Sequence, residues 1–361
     1  MFLIKFIKNK FCGSNKNKKK LDFKDVLLVP QHSLLKSRKE VSLDRKFYFK
    51  NADRKWTGVP LVVSNMDTTG TIEMAKELQK YKILTCLHKY YNKEEILNSQ
   101  LDPNYFAVST GINDMDLVKL NDILTEKKDI KFICIDVANG YMQYFIDRCK
   151  LIRKKYPNKI LIAGNVVTPE QIERISESKI DIIKLGIGSG SVCTTRLKTG
   201  IGYPQMSVIL ECERKCKELG IYLMSDGGIK YPGDLGKAFV GGADFVMCGS
   251  VFAGHTESAG EIITETIDEK EIKYKVFYGM SSRKAMVKHT GKMNNYRTEE
   301  GKVVKIKHRG SVKNTIEDFL GGLRSTMTYI GCKDIQNIYR YTNFIRVNQQ
   351  VSDTFNKGSE I

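Results

Sequence analysis

Eight short apolar, β-branched runs recur along the chain with amphipathic stretches between them: PLVV from 60, ILTCL from 83, YFAV from 105, KFICI from 131, KILIA from 159, DIIKL from 181, IYLM from 221 and DFVMC from 244. Runs that are apolar nearly throughout belong to strands buried on both faces, which means parallel pairing with crossover helices. Eight such units in series favour closure of the sheet over an open edge. The expected fold is an α/β (β/α)8 barrel of the TIM type, one domain over residues 21–350. At 361 residues the chain holds one such barrel, usually about 250 residues, with room for insertions.

Outside that rhythm lie three other stretches. After the eighth run, residues 255–310 are charged and punctuated by glycine, which reads as an irregular, mobile lid or flap, before a helix from Ser311 to Thr328. Residues 1–20 carry seven lysines and no acid, without the uninterrupted apolar segment of a signal peptide, and read as a basic disordered tail. Residues 351–361 read as a C-terminal tail. No apolar run approaches the roughly 20 residues of a membrane span. Nine scattered cysteines in a chain this large indicate a reducing cytoplasm rather than disulfide staples. Cys212 and Cys216 stand four apart in a helical stretch without a second pair, so they read as helix cysteines and not as metal ligands. The net charge of +18 comes without a stacking platform or recognition helix, so it reads as a solvated surface and nucleic acid is not an expected partner.

The segments after the runs are SNMD, LHKYY, STG, DVANGY, GNV, GIGSGSVCTTR, SDGG and CGS. Barrel chemistry sits in the loops at the C-terminal ends of the strands, and a merely structural rim does not need this density of Asn, Asp, Lys and Cys. Gly186, Gly188 and Gly190 open a loop that continues through Cys193, Thr194, Thr195 and Arg196. Glycines let such a loop turn carbonyls or amides inward around an ion. Asp226-Gly227-Gly228 and Gly249-Ser250, after consecutive late strands, occupy the usual phosphate location of such barrels. No GxGxxG follows a strand, so there is no Rossmann fingerprint.

The run GIGSGSVCTTRLKTGIGYPQ resembles the catalytic loop of the IMP dehydrogenase/GMP reductase family. The likeness extends from about Leu21 to Gln350 through LDFKDVLLVP, SNMDTTGT, FICIDVANGY, AGNVVTPE, FYGMSS and NTIEDFLGGLRSTMTY, among others. It departs at Ser189, where the family usually carries Pro, and at Ser250, where Gly is usual. The resemblance implies that Cys193 attacks C2 of a purine. It also implies a potassium site at Gly188, Gly190, Cys193 and Arg196. Thr195 with Glu300 would be the acid, and the adjacent Glu299 leaves a one-residue slip open. A GMP or IMP site is implied at Asp226, Gly227, Gly228, Gly249, Ser250, Gly279, Met280, Ser281, Arg297, Thr298, Glu299, Glu300 and Gly301, with Asp226 on the ribose hydroxyls. NADPH is assigned by the same resemblance to Ser37, Arg38, Lys89, Asp136, Val137, Ala138, Ile187, Gly188, Met280 and Ser325, Thr326, Met327, Thr328.

Three features favour the reductase branch. No regulatory insertion interrupts the barrel. Tyr296 to Gly301, YRTEEG, is similar to the reductase lid, and His88-Lys89-Tyr90 resembles the reductase pattern. The implied activity is NADPH-dependent conversion of GMP to IMP and ammonia through a Cys-linked thioimidate, in purine interconversion and salvage, by a homotetramer. IMP dehydrogenase activity is the alternative, and a non-catalytic nucleotide- or RNA-binding scaffold is the reading from a different class. Because the barrel begins at about Leu21, deleting residues 1–20 is expected to leave turnover and KM unchanged. A severe kinetic defect in a folded truncation would contradict this.

Overall fold

A computed structural model describes residues 19–291 and 298–348. The tail expectations for residues 1–18 and 351–361 therefore lie outside the described residues. Two strands precede the barrel, β1 (Val26–Leu28) and β2 (Arg45–Phe49). All eight apolar runs then form strands: β3 (Arg54–Val63), β4 (Ile83–Leu87), β5 (Phe106–Thr110), β6 (Phe132–Asp136), β7 (Ile160–Val166), β8 (Ile182–Leu185), β9 (Tyr222–Asp226) and β10 (Phe245–Cys248). Each pairs in parallel with the next, and β10 returns to β3 with Met247 opposite Val62, so the sheet closes. The crossovers carry α1 (Ile72–Leu78), α2 (Lys93–Leu97), α3 (Asp114–Glu126), α4 (Gln143–Lys155), α5 (Pro169–Ser176), α6 (Thr195–Thr199), α7 (Gln205–Leu219) and α8 (Pro232–Gly241). Among the described residues no helix is long and apolar enough to cross a membrane.

Alternation along the strands separates two cores. Leu61, Val63, Ile133, Ile135, Ile183 and Leu185 face the helices. Val62, Cys86, Cys134, Ile162, Ile182, Met224 and Met247 fill the barrel interior. The lower end is plugged by a hairpin that the apolar runs do not reveal: β2 pairs antiparallel with the start of β3, Phe47 opposite Trp56. Phe47 stacks on Phe245 with centroids 4.3 Å apart, and Trp56 meets Phe132 edge-on at 5.9 Å. RKFYF opens with two charges and buries only alternate positions, Arg45, Phe47 and Phe49, so it is a half-buried strand, not an apolar run.

Where the sequence reads as irregular lid, the structure has an antiparallel sheet. The sheet comprises β11 (Ile262–Ile267), β12 (Lys270–Tyr278) and β13 (Val303–Lys307), with α9 (Arg283–Thr290) between the last two. The β11–β12 turn escaped notice because its two central residues, Asp268 at φ 48° and Glu269 at φ 64°, adopt left-handed backbone without the usual glycine. Finally α10 (Val312–Tyr329) packs on α8, and β14 (Phe344–Arg346) pairs with β1, joining the two ends of the domain.

The aromatic plug generates an expectation. Phe245 is fully buried among Phe47, Phe49, Trp56 and Tyr222. Phe245→Ala should cost about 3–5 kcal/mol, the scale of truncating a buried ring. A denaturant midpoint that does not shift would contradict the packing.

Candidate active site

The interior alternation ends in charge at the upper rim. Asp136 follows Cys134 inward on β6, Lys184 follows Ile182 on β8, and Asp226 follows Met224 on β9. The Lys184 side chain is 2% exposed, and its ammonium contacts Asp136 Oδ1 and lies 3.3 Å from Asp226 Oδ2. Burial alone would strip the proton from this lysine, but Asp136 and Asp226 hold its pKa well above the usual value. Burial likewise opposes charge on Asp136, and Lys184, helped by a hydrogen bond from Asn65, keeps that carboxyl below its usual range. Asn165, at the end of β7, donates from Nδ2 to Asp226 Oδ2 and to Gly186 O, both at 2.8 Å. Its Oδ1 is buried without a hydrogen-bond partner.

The cysteine loop leaves β8 from this charged layer. At Gly186 a Cβ would lie 2.2 Å from Asp226 O, so the close approach of the two strand ends excludes a side chain there. Gly188 has φ +76° and lies under the Arg196 side chain, whose Cγ a Cβ would meet at 2.5 Å. Ser189 Oγ donates to Asp226 O at 2.8 Å, a bond that a proline could not make. Cys193 N donates to Gly190 O at 3.1 Å, turning the chain so that the half-buried thiol faces Thr195.

Cys193 Sγ lies 3.2 Å from Thr195 Oγ1, which donates to Glu300 Oε2 at 2.8 Å. Backbone pairing sets this register. Cys193 bridges antiparallel to Gly301, Lys302 N donates to Val192 O at 2.9 Å, and Thr194 N donates to Glu300 O at 2.9 Å. Glu300, not Glu299, therefore stands opposite Thr195. Gly279 and Gly301 meet back to back, each with a Cβ position 3.0 Å from the other's Cα, so a side chain at either would push the lid strand off the loop.

The remaining residues of the expected nucleotide site line the same rim. Gly227 and Gly228 follow β9 with φ +90° and +84°. Gly249 and Ser250 follow β10, where a Cβ on Gly249 would lie 3.0 Å from Ser64 Oγ. Ser281 O accepts from Glu300 N at 3.1 Å, and Met280 Sδ is 3.5 Å from Asp67 N. Thr298 is exposed and Glu299 half-buried. Arg297 and Tyr296 lie outside the described residues.

The expected cofactor residues divide into two groups. Lys89, Asp136, Val137, Ala138, Ile187, Gly188 and Met280 belong to the mouth, with Lys89 Nζ 3.5 Å from Asp116 Oδ2. Ser37, Arg38 and Ser325 to Thr328 do not. α10 runs down the outside of the barrel alongside α8, with Gly322 packed on Pro232 at the start of that helix, which puts these residues on the outer surface next to α8. Met327 is a correction: it is fully buried in the outer core and cannot touch a ligand. The Thr326 side chain is pressed against Gly236 of α8. Arg196 of the expected cation site has its side chain engaged elsewhere. The guanidinium donates to Tyr203 O at 2.6 Å and faces Asp22, so only its carbonyl remains suited to an ion.

A family model described as IMP dehydrogenase / GMP reductase domain matches residues 20–353. The chain belongs to that family. It is 49% identical over 344 residues to a Caenorhabditis elegans protein named GMP reductase, covering 94% of this chain and 95% of that one. It is 51% identical over 342 residues to GMP reductase of Buchnera aphidicola subsp. Schizaphis graminum, covering 93% and 97%. It is 49% identical over 346 residues to human GMP reductase 2, covering 95% and 98%. Three residues of this family member's mouth were not singled out from sequence: Lys184, Asn165 and Asp67. A lysine inside an otherwise apolar strand, two residues after an inward Ile182, was the available signal for the first.

Lys184→Met should leave two half-buried carboxylates without their counter-ion and cost about 1–3 kcal/mol near neutral pH, below the loss for a fully buried pair because both keep part of their hydration. In the native chain Asp136 is held low, so its contribution is present at neutral pH and lost as acid protonates it. Without the ammonium its folded pKa would exceed the unfolded one. The variant should therefore regain ground on the native protein as the pH falls from about 7 toward about 4. A pH-independent deficit in urea unfolding would contradict the pairing.

Proposed function

We propose that this chain reduces GMP to IMP and ammonia with NADPH, by a covalent route through Cys193. The observation that carries the reading is the unbroken line from the Cys193 thiol through Thr195 to Glu300 at the barrel mouth. It is supported by the relatives named GMP reductase. The thiolate adds to the electron-poor C2 of the purine. The amine leaves as ammonia, taking a proton from the Thr195 hydroxyl, which Glu300 replenishes. A hydroxyl alone is a poor acid near neutral pH, so the carboxyl partner is physically needed. This leaves a thioimidate on Cys193, and a hydride at C2 with cleavage of the C–S bond returns the thiolate and IMP.

NADPH supplies that hydride when bound. Lys89, Asp136, Val137, Ala138, Ile187, Gly188 and Met280 would hold it at the mouth. Ser37, Arg38, Ser325 and Thr328 lie together on the outer surface, where α10 meets the turn at Arg38, and would serve a neighbouring copy in a homotetramer. Asp226 would take the ribose hydroxyls, and Gly227, Gly228, Gly249 and Ser250 the phosphate. Neutral carbonyls of Gly188, Gly190 and Cys193 in a positive-φ loop fit the donor chemistry of a potassium ion. The described cysteines are all free, which suits a reducing compartment such as the cytoplasm.

One spectrophotometric assay tests the reading. NADPH absorbance should fall on adding GMP. NADH appearing with IMP would instead identify a dehydrogenase, and neither signal with salt-sensitive RNA retention would identify a scaffold. Cys193→Ala should abolish turnover while GMP still binds, and a tenth of the native rate would refute covalent catalysis. Glu300→Gln should slow GMP turnover by about 10² or more, the scale of general acid catalysis. With IMP and NADP⁺ the same variant should still give a burst of NADPH, because that half-reaction needs no proton at an amine. Equal loss of burst and turnover would contradict the acid role.

A further inference from the structure

Asp67, in the loop after β3, has no part in the chemistry above, yet it is buried at the mouth with its side chain 1% exposed. One oxygen, Oδ2, accepts three hydrogen bonds: from Tyr278 OH at 2.7 Å, Lys288 Nζ at 2.9 Å and His289 Nε2 at 2.7 Å. The other oxygen is buried without a partner. Burial opposes the charge, but the three donors hold the carboxyl below its usual range.

The donors are not scattered. Tyr278 ends β12, immediately before Gly279 to Ser282, and Lys288 and His289 end α9, immediately before the lid segment that returns with Glu300. Asp67 thus grips both ends of the arc whose Ser281 carbonyl holds Glu300 N. His289 in turn stacks flat on Tyr90, with centroids 3.4 Å apart and planes 5° from parallel. The Tyr90 ring lies 5.7 Å from the Lys89 ammonium.

We propose that Asp67 is the anchor of the lid, a positioning residue that acts on the reaction through Glu300 and ties the lid to the loop bearing Lys89. The inference rests on the deamination reading for its kinetic consequence. A carboxylate fits this position because an amide that kept its oxygen on the three donors would bury an unpaired NH2 where Oδ1 now sits and lose the charge that pairs with Lys288, and an aliphatic side chain would leave the donors unpaired.

The test uses the full chain with Asp67→Asn and with His289→Leu, each alone and combined with Glu300→Gln. Asp67→Asn should lower kcat for GMP reduction about tenfold or more, with KM for GMP nearly unchanged and the NADPH burst from IMP and NADP⁺ retained. On the Glu300→Gln background it should add less than about twofold, because both changes disable one device. His289→Gln, which keeps a donor, should recover most of the loss seen in His289→Leu. Multiplying penalties, or a burst that falls with turnover, would overturn the proposal. If Asp67→Asn does not fold, the pair Lys288→Met and His289→Leu, at the more exposed side of the contact, carries the same test. Amide exchange across residues 298–302 should accelerate in these variants while the barrel strands stay unchanged. That readout needs no turnover, so a native protein inert toward GMP would sink the reaction reading alone. Unchanged exchange in the lid would sink the anchor.

Discussion

A lysine ammonium buried inside the upper end of the barrel is the interaction on which the rest of the mouth depends. Lys184 pairs with both Asp136 and Asp226, and it keeps the Asp136 carboxyl charged against desolvation. Asp226 in turn fixes Asn165, whose amide holds the Gly186 carbonyl, and its own carbonyl accepts from Ser189. The cysteine loop therefore leaves the barrel from a base set by charge pairing, and its direction is determined before any glycine in it turns.

The second constraint is backbone geometry. A lid that returns across the chain could deliver its acid at any of several registers, but the bridge between Cys193 and Gly301 admits one. It does so because Gly279 and Gly301 have no side chains to keep the strands apart. Charge below and bare backbone above thus converge on a thiol, a hydroxyl and a carboxylate in line. The loop and the lid come from strands more than a hundred residues apart in sequence, and neither geometry alone would place all three groups.

Legibility from sequence followed physical range. Strands buried on both faces announce themselves as apolar runs, and all eight were readable with their order and closure. The plug hairpin and the lid sheet were not, because RKFYF and the strands around Asp268 and Glu269 are half polar, expose alternate positions and turn without glycine. Cys193 and Thr195 were legible as a motif in one loop, and the pairing of Glu300 over Glu299 needed a cross-strand register that no local pattern contains. Lys184 and Asp67 act only through partners brought from other elements, which is why their neighbours in sequence did not mark them. The assignment of Met327 failed for the converse reason: a motif carried it, while helix packing turned that side chain into the core.

The central claim is a covalent bond between the purine and Cys193, and the most direct measurement is the mass of the intact chain quenched in acid after mixing with IMP and NADP⁺. A thioimidate adds one IMP less a hydride and a proton. The account predicts that increment, located by peptide mapping on the segment that carries Cys193. No increment under conditions where NADPH is formed, or an increment on another cysteine, would contradict it.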